Sequence, residues 1–225
     1  MIPSKEEVFQ IYRKRARSYD KWVNFYRLLG ARYAYRKRAV GALNLRRGDT
    51  VVEIGCGSGL NFPLLLRDVG SQGRIIGVDL TDYMLDQARK RVEREGWSNV
   101  ELVQMDAAKY GFPPDVDGII STFAVTYIPE YDLIIENGAK ALKPGTRFVI
   151  LDLKRPENWP FWLTRLGVRA MSPFGVTLEL GERRPWESVS RYLTNPSLTE
   201  FYMGAVYISV GEKPFKNPIS PLRKM

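Results

Sequence analysis

Val51-Val52-Glu53-Ile54-Gly55-Cys56-Gly57-Ser58-Gly59-Leu60 joins a short apolar run to three glycines spaced two apart, with an acid two residues before the first. A helical pattern follows at once. The run reads as a buried strand, the glycines as a tight turn, and the residues beyond them as a helix N-terminus. That arrangement lets backbone N–H groups approach a ligand closely. Downstream, Arg74-Ile75-Ile76-Gly77-Val78-Asp79 is a second apolar run that ends in an acid. In nucleotide-binding α/β folds an acid at this place hydrogen-bonds ribose hydroxyls. The plainer alternatives are glycines that only turn the chain and an aspartate that only caps the next helix.

A glycine pattern alone does not separate dinucleotide sites from others. Here the spacing is G-x-G-x-G, without the third glycine at the dinucleotide spacing, and Phe62-Pro63 stand where a dinucleotide site wants a glycine for helix packing. With Glu53 ahead of the turn, these residues resemble the S-adenosylmethionine site of class I methyltransferases, over roughly residues 48–153. The resemblance implies an α/β, Rossmann-like fold: a seven-stranded, mostly parallel sheet with helices on both faces, N-terminal helices before it, and a cap ahead of a terminal hairpin. It implies S-adenosylmethionine as cofactor and S-adenosylhomocysteine as product, with no metal. Gly55, Gly57 and Gly59 would then admit the cofactor to the backbone, with Cys56 inside the turn. Asp79 would hold the ribose, Leu80 and Met84 would flank the adenine, and Asp106 would accept from its amino group beside Ala107. Thr122 joins the cofactor set, and Glu53 would order the glycine loop or a water near the methionine amino group. Helix capping is the competing role for Asp79 and Asp106.

The chain has 225 residues, enough for one large domain or a core with an appendage. We divide it into a basic, aromatic N-terminal segment (1–47), a methyltransferase domain (48–212) with a cap over 154–195, and a Pro- and Lys-rich tail (213–225). No apolar run approaches the ~18 residues of a membrane-spanning helix, and the charged N-terminus lacks the apolar block of a signal peptide. The single cysteine, Cys56, excludes an intrachain disulfide framework and suits the cytoplasm. There is no histidine, so acid–base work falls to Asp, Glu, Tyr, Lys or water. The net charge of +9 is concentrated: residues 1–47 carry thirteen lysines and arginines against three acids. Such a block expects an anionic partner.

A helix over about 5–17 has Ser4 and Glu7 as a capping box and Val8, Ile11 and Tyr12 on one face. Aromatics interleaved with its arginines suit an interfacial amphipathic segment. An ordinary helix covering the sheet, solvated on its basic side, accounts for the same pattern. After Tyr19-Asp20 a second helix is expected over about 21–45, and strands then alternate with helices: strands at about 50–54, 74–79, 100–105, 116–121 and 147–153, helices at about 59–69, 82–95 and 130–142. This alternation implies a parallel sheet with its ligands at the C-terminal strand edge. Gly55, Asp79, Asp106 and Ser121 all fall there. Beyond Lys154 the chain turns rich in Trp, Pro and Arg, read as short helices at about 159–171 and 185–193, before a hairpin at 197–203 and 205–210.

Methyl transfer from a sulfonium is an in-line displacement that depends on alignment more than on a strong base. Tyr19-Asp20 resembles the Tyr-Asp of quinone and phospholipid methyltransferases that closes over the cofactor. We assign Tyr19 and Tyr127 as catalytic, and Asp20, Tyr127, Arg165, Arg183 and Arg184 as substrate-binding; either tyrosine could simply pack instead. The basic N-terminal segment and the aromatic, basic cap suit a lipid acceptor. The whole resembles bacterial phospholipid N-methyltransferases, and the cap and hairpin those that make the betaine of aminolipids. The leading expectation is therefore a cytoplasmic enzyme, peripherally bound to an anionic membrane, that methylates the amino headgroup of a lipid such as phosphatidylethanolamine. One alternative is a C- or O-methyltransferase of a quinone or other small hydrophobe, which needs a base this chain supplies sparingly. Another is a non-enzymatic nucleic-acid-binding protein, disfavoured because no nucleic-acid module is visible.

Overall fold

A computed structural model describes residues 31–215 together with residues 6, 7, 9–11 and 13. The capping box at Ser4, the Tyr19-Asp20 pair, much of the two N-terminal helices expected from sequence and the tail beyond 215 lie outside the described residues. In chain order the main elements are α1 (Ala31–Ala42), β1 (Thr50–Ile54), α2 (Phe62–Val69), β2 (Arg74–Asp79), α3 (Asp82–Glu95), β3 (Val100–Gln104) and β4 (Val116–Thr122). There follow α4 (Tyr131–Ala141), β5 (Leu142–Leu153), α5 (Phe161–Met171), α6 (Pro185–Tyr192), β6 (Thr194–Phe201) and β7 (Val206–Glu212). The strands form one seven-stranded sheet in the order β3-β2-β1-β4-β5-β7-β6. Only β7 runs against the others, antiparallel to both β5 and β6.

Central strands read as unbroken apolar runs because both of their faces are covered. Along β1, Val51 joins the cluster of α1, α2 and α3 through Ala39, Leu65 and Leu85. Val52 and Ile54 join the opposite cluster, where Ile134 and Ile135 of α4 and Val189 of α6 pack. The connection from β1 leads to β2 on one side, while β4 pairs with β1 on the other. Strand order reverses between β1 and β4, so a crevice opens beyond their C-terminal ends.

Four boundaries differ from the sequence reading. Helix α2 begins at Phe62 rather than at about 59, because Gly57 and Gly59 take positive φ and hold the loop open for another turn. The fifth strand begins at Leu142 rather than at about 147, taking in Lys143-Pro144-Gly145 with an irregularity in its pairing with β4. The stretch from 154 divides: α5 and two single 3-10 turns lie at the strand edge, whereas α6 packs its apolar residues onto the sheet through Val189. The hairpin bends at Tyr202-Met203-Gly204, all at positive φ, and its second strand runs on to Glu212. Among the described residues no helix is long and apolar enough to cross a membrane.

Candidate active site

β1 ends at Ile54 and the chain turns at once through Gly55, with φ of 67°. A Cβ there would overlap the Ala124 Cβ on the loop after β4, so glycine is what lets the two strand ends close together. The next glycine carries the site's first polar contact. Gly57 N–H donates to Asp79 Oδ2 at 2.8 Å, and Thr81 N–H donates to Oδ1 at 2.8 Å. One carboxylate thus ties the loops after β1 and β2 together. Burial raises the Asp79 carboxyl, while these backbone donors pull it down. The Thr81 side chain and the Leu80 backbone also act on this carboxylate, which still lines the cleft.

Around this carboxylate lies a concave, mostly apolar cleft of the kind that takes a small molecule. Gly55, Cys56, Gly57, Asp79 and Leu80 line one side, Met84, Asp106 and Ala107 another. Thr122 and Tyr127 close it beyond β4. Asp106 Oδ1 also accepts from Ala108 N–H at 3.0 Å, so its capping role and its place at the cleft coexist. Burial pushes the Cys56 thiol well up, which keeps it neutral. Among the described cofactor residues chosen from sequence, two do not line the cleft. Gly59 faces the ring of Phe62, and Glu53 lies behind the glycine loop, 1% exposed. Tyr19 and Asp20 fall outside the described residues.

Glu53 anchors a buried network that sequence reading missed. Asn61 Nδ2 donates to Glu53 Oε1 at 2.6 Å and to Thr122 Oγ1 at 3.0 Å. Arg36 Nη1 donates to Asn61 Oδ1 at 3.0 Å and to Thr122 Oγ1 at 2.7 Å. Arg36 itself lines the cleft, so the network carries a positive charge to the cofactor's wall. Burial raises the Glu53 carboxyl to about 8, against the pull of Arg36 and Asn61. A signal was present: Arg36, Ala39, Val40 and Leu43 share helical spacing, which puts an arginine on the core face of α1.

A second cavity lies between the end of β5, the 3-10 turn Val125–Tyr127 and the cap. Its wall is mostly apolar, with Trp159, Val168, Met171 and Leu178. Tyr127 lines both cavities, and its hydroxyl donates to the Phe174 carbonyl at 2.9 Å. Asp152, at the end of β5, lines the second cavity while only 1% exposed. It accepts from Thr126 N–H at 3.1 Å and Leu153 N–H at 2.8 Å, yet burial raises it to about 6. The indole N–H of Trp159 is buried there with no hydrogen-bond partner among the described residues. Neither Asp152 nor Trp159 was singled out as a site residue from sequence, where one read as the end of a strand and the other as part of the cap.

The three cap arginines do not converge. Arg183 Nη1 donates to the Thr126 carbonyl at 2.7 Å, bracing the 3-10 turn. Arg184 pairs with Glu187 at 3.0 Å, and Arg165 lies exposed with its guanidinium over the Phe161 ring. None of them lines either cavity. Among the described residues no group of three His, Cys, Asp or Glu side chains could hold a metal ion.

Residues 1–164 match the model of the ubiE/COQ5 methyltransferase family. A demethylmenaquinone methyltransferase of Geobacillus stearothermophilus is 27% identical over 225 residues, covering 96% of this chain and 94% of its own. One of Listeria welshimeri is 27% identical over 164 residues, covering 72% and 69%. Among solved structures, a SAM-dependent methyltransferase from Aquifex aeolicus superposes with a TM-score of 0.58 at 20% identity, covering 79% of this chain and 89% of that one. That likeness establishes the shared fold. The relatives overturn the expected lipid amino headgroup: their names give a quinone as acceptor, which was the alternative reading.

Proposed function

The chain belongs to the ubiE/COQ5 methyltransferase family and is an S-adenosylmethionine-dependent enzyme, and from that premise we propose that it methylates a ring carbon of a hydrophobic quinol of the demethylmenaquinol class. The observation that carries this reading is the second cavity: an apolar chamber beside the cofactor cleft with one buried carboxylate, Asp152, in its wall. An amine headgroup needs a wet, polar site; an aromatic ring with a prenyl tail needs a dry one. The relatives' names point the same way.

The cleft fits the cofactor: Asp79 presents an acceptor carboxylate to the cleft for ribose hydroxyls, and Arg36 supplies a buried charge for a carboxylate. When bound, S-adenosylmethionine supplies an electrophilic methyl group. The chain's own work is then alignment and proton management. Asp152 takes the proton of a quinol hydroxyl, which leaves the ring electron-rich at the neighbouring carbon. Once that carbon carries the methyl group its own hydrogen leaves as a proton, and Asp152 returns its proton to the oxygen to restore the aromatic quinol. The Trp159 N–H donates to the second quinol oxygen and fixes the ring's orientation. Tyr127 stands where the two chambers meet and sets how closely ring and cofactor approach. The missing histidine is thereby replaced by a carboxylate whose burial moves it toward neutrality.

Purified enzyme, labelled S-adenosylmethionine, a short-chain demethylated naphthoquinol and phosphatidylethanolamine vesicles make the test. Label on a ring carbon of the quinol, located by mass spectrometry, supports the reading. Label in the lipid amine, or an O-methyl product, rejects it. A quinol with a long prenyl tail resides in a bilayer, so this function also requires contact with a membrane surface.

A further inference from the structure

Helix α5 has two unlike faces. Thr164, Gly167, Val168 and Met171 point inward and roof the second cavity. Opposite them stand Phe161, Trp162 and Leu166, with relative exposures of 58%, 66% and 57%. Arg165 and Arg169, both exposed, lie between these apolar residues on the same arc. At 100° per residue the five span roughly 140° of the helix, an unbroken outer face. Soluble surfaces scatter single apolar side chains; three large ones together mark a contact.

We infer that this outer face of α5 docks the enzyme on an anionic lipid bilayer, with Phe161, Trp162 and Leu166 entering the acyl boundary and Arg165 and Arg169 held at the phosphates. The chemistry selects this partner over others. Large aromatics beside arginines suit the headgroup boundary, where rings sit in the apolar zone and guanidinium groups reach up to phosphate. The Arg165 guanidinium already lies over the Phe161 ring, 5.8 Å from its centroid, so charge and ring enter the interface as a pair. The helix contains no acid, and the chain carries a net charge of +9. Position supplies the second argument, and this part rests on the quinol reading: the helix that meets the lipid is the roof of the chamber that would receive a lipid-borne ring. An acceptor leaving the bilayer would pass beside α5 without crossing water.

The test uses the full chain and vesicles of phosphatidylcholine, with or without phosphatidylglycerol. Flotation is expected only with the anionic vesicles. Tryptophan fluorescence should be quenched by brominated lipid, and replacing Trp162 with Phe should remove most of that quenching. The triple variant Phe161→Ser, Trp162→Ser, Leu166→Ser, and separately Arg165→Gln with Arg169→Gln, should each weaken vesicle binding about tenfold. S-adenosylmethionine affinity and methylation of a detergent-dispersed quinol should stay at the parent level. Undiminished quenching in Trp162→Phe, or vesicle binding unchanged by both sets of substitutions, overturns the proposal. RNA that displaces the vesicles and loses affinity in the same variants overturns it in favour of a nucleic-acid surface. Failure here leaves quinol methylation standing; loss of quinol methylation with intact flotation sinks the activity and spares the surface.

Discussion

In the proposed quinol reaction, a single carboxylate at the end of β5 answers the chemical difficulty that the composition poses. Asp152 is buried and raised to about 6, so near neutrality it is mostly ionised but still a competent proton acceptor. A base must be ionised to act, so turnover should rise as pH climbs through about 6 and level off above it. Asp152→Asn should lower kcat by roughly 10²–10⁴ and erase that limb, with cofactor affinity unchanged by calorimetry. A variant that keeps the limb would assign it to another group. Glu53 makes the opposite use of burial, because its raised carboxyl shapes stability. Its folded value of about 8 exceeds the ordinary one, so the neutral form favours folding. That stability is full below the unfolded value of about 4.3 and is lost as pH rises through about 8. Thermal unfolding between pH 6 and 9 should therefore show a falling Tm in the parent and a flatter line in Glu53→Gln, which keeps an acceptor for Asn61.

Loops and strand ends carry the next level of the argument. Gly55 serves two demands at once: a positive φ, and a close approach to Ala124 after β4. Gly55→Ala violates both. Adding Ala124→Gly relieves the overlap but not the backbone strain, which for a non-glycine residue costs about 1–3 kcal/mol. The double variant should thus recover part, not all, of the single variant's loss in denaturant unfolding. Full recovery would mean that the overlap is the whole cost. These strand ends were legible because their signals are local: an apolar run, then an acid or a glycine, repeated from β1 to β3. Asp79 needs only its own strand to be recognised. Arg36 needs Thr122, which lies 86 residues away, before its burial makes sense. Asp152 in Leu151-Asp152-Leu153 looks like any strand leaving the core, until the 3-10 turn at Thr126 closes over it. Helix α6 was read as cap because its Trp and Pro match those of α5 in composition; only the partner surface tells the two apart, and Val189 meets the sheet.

On the scale of the whole molecule, the enzyme is two chambers sharing one wall. The cofactor cleft follows from the sheet, since a strand-order reversal opens it wherever the loops are small. The second chamber follows from the cap, whose residues have no regular period to announce it. Tyr127 joins them, rooted in the turn after β4 and bonded through its hydroxyl to the Phe174 carbonyl in the cap. Arg183 braces the same turn from the other side. The wall therefore depends on the cap staying seated. Tyr127→Phe keeps the ring between the chambers and removes only the bond, worth about 0.5–1.5 kcal/mol. Hydrogen exchange should then quicken at residues 174–176 while the β1 and β2 amides keep their protection. Cofactor affinity should be unchanged, and KM for the proposed quinol should rise, because the displaced cap loosens only the second chamber. An equal loss of cofactor affinity would place the hydroxyl's work in the first chamber, and the wall would then belong to the cofactor rather than to the acceptor.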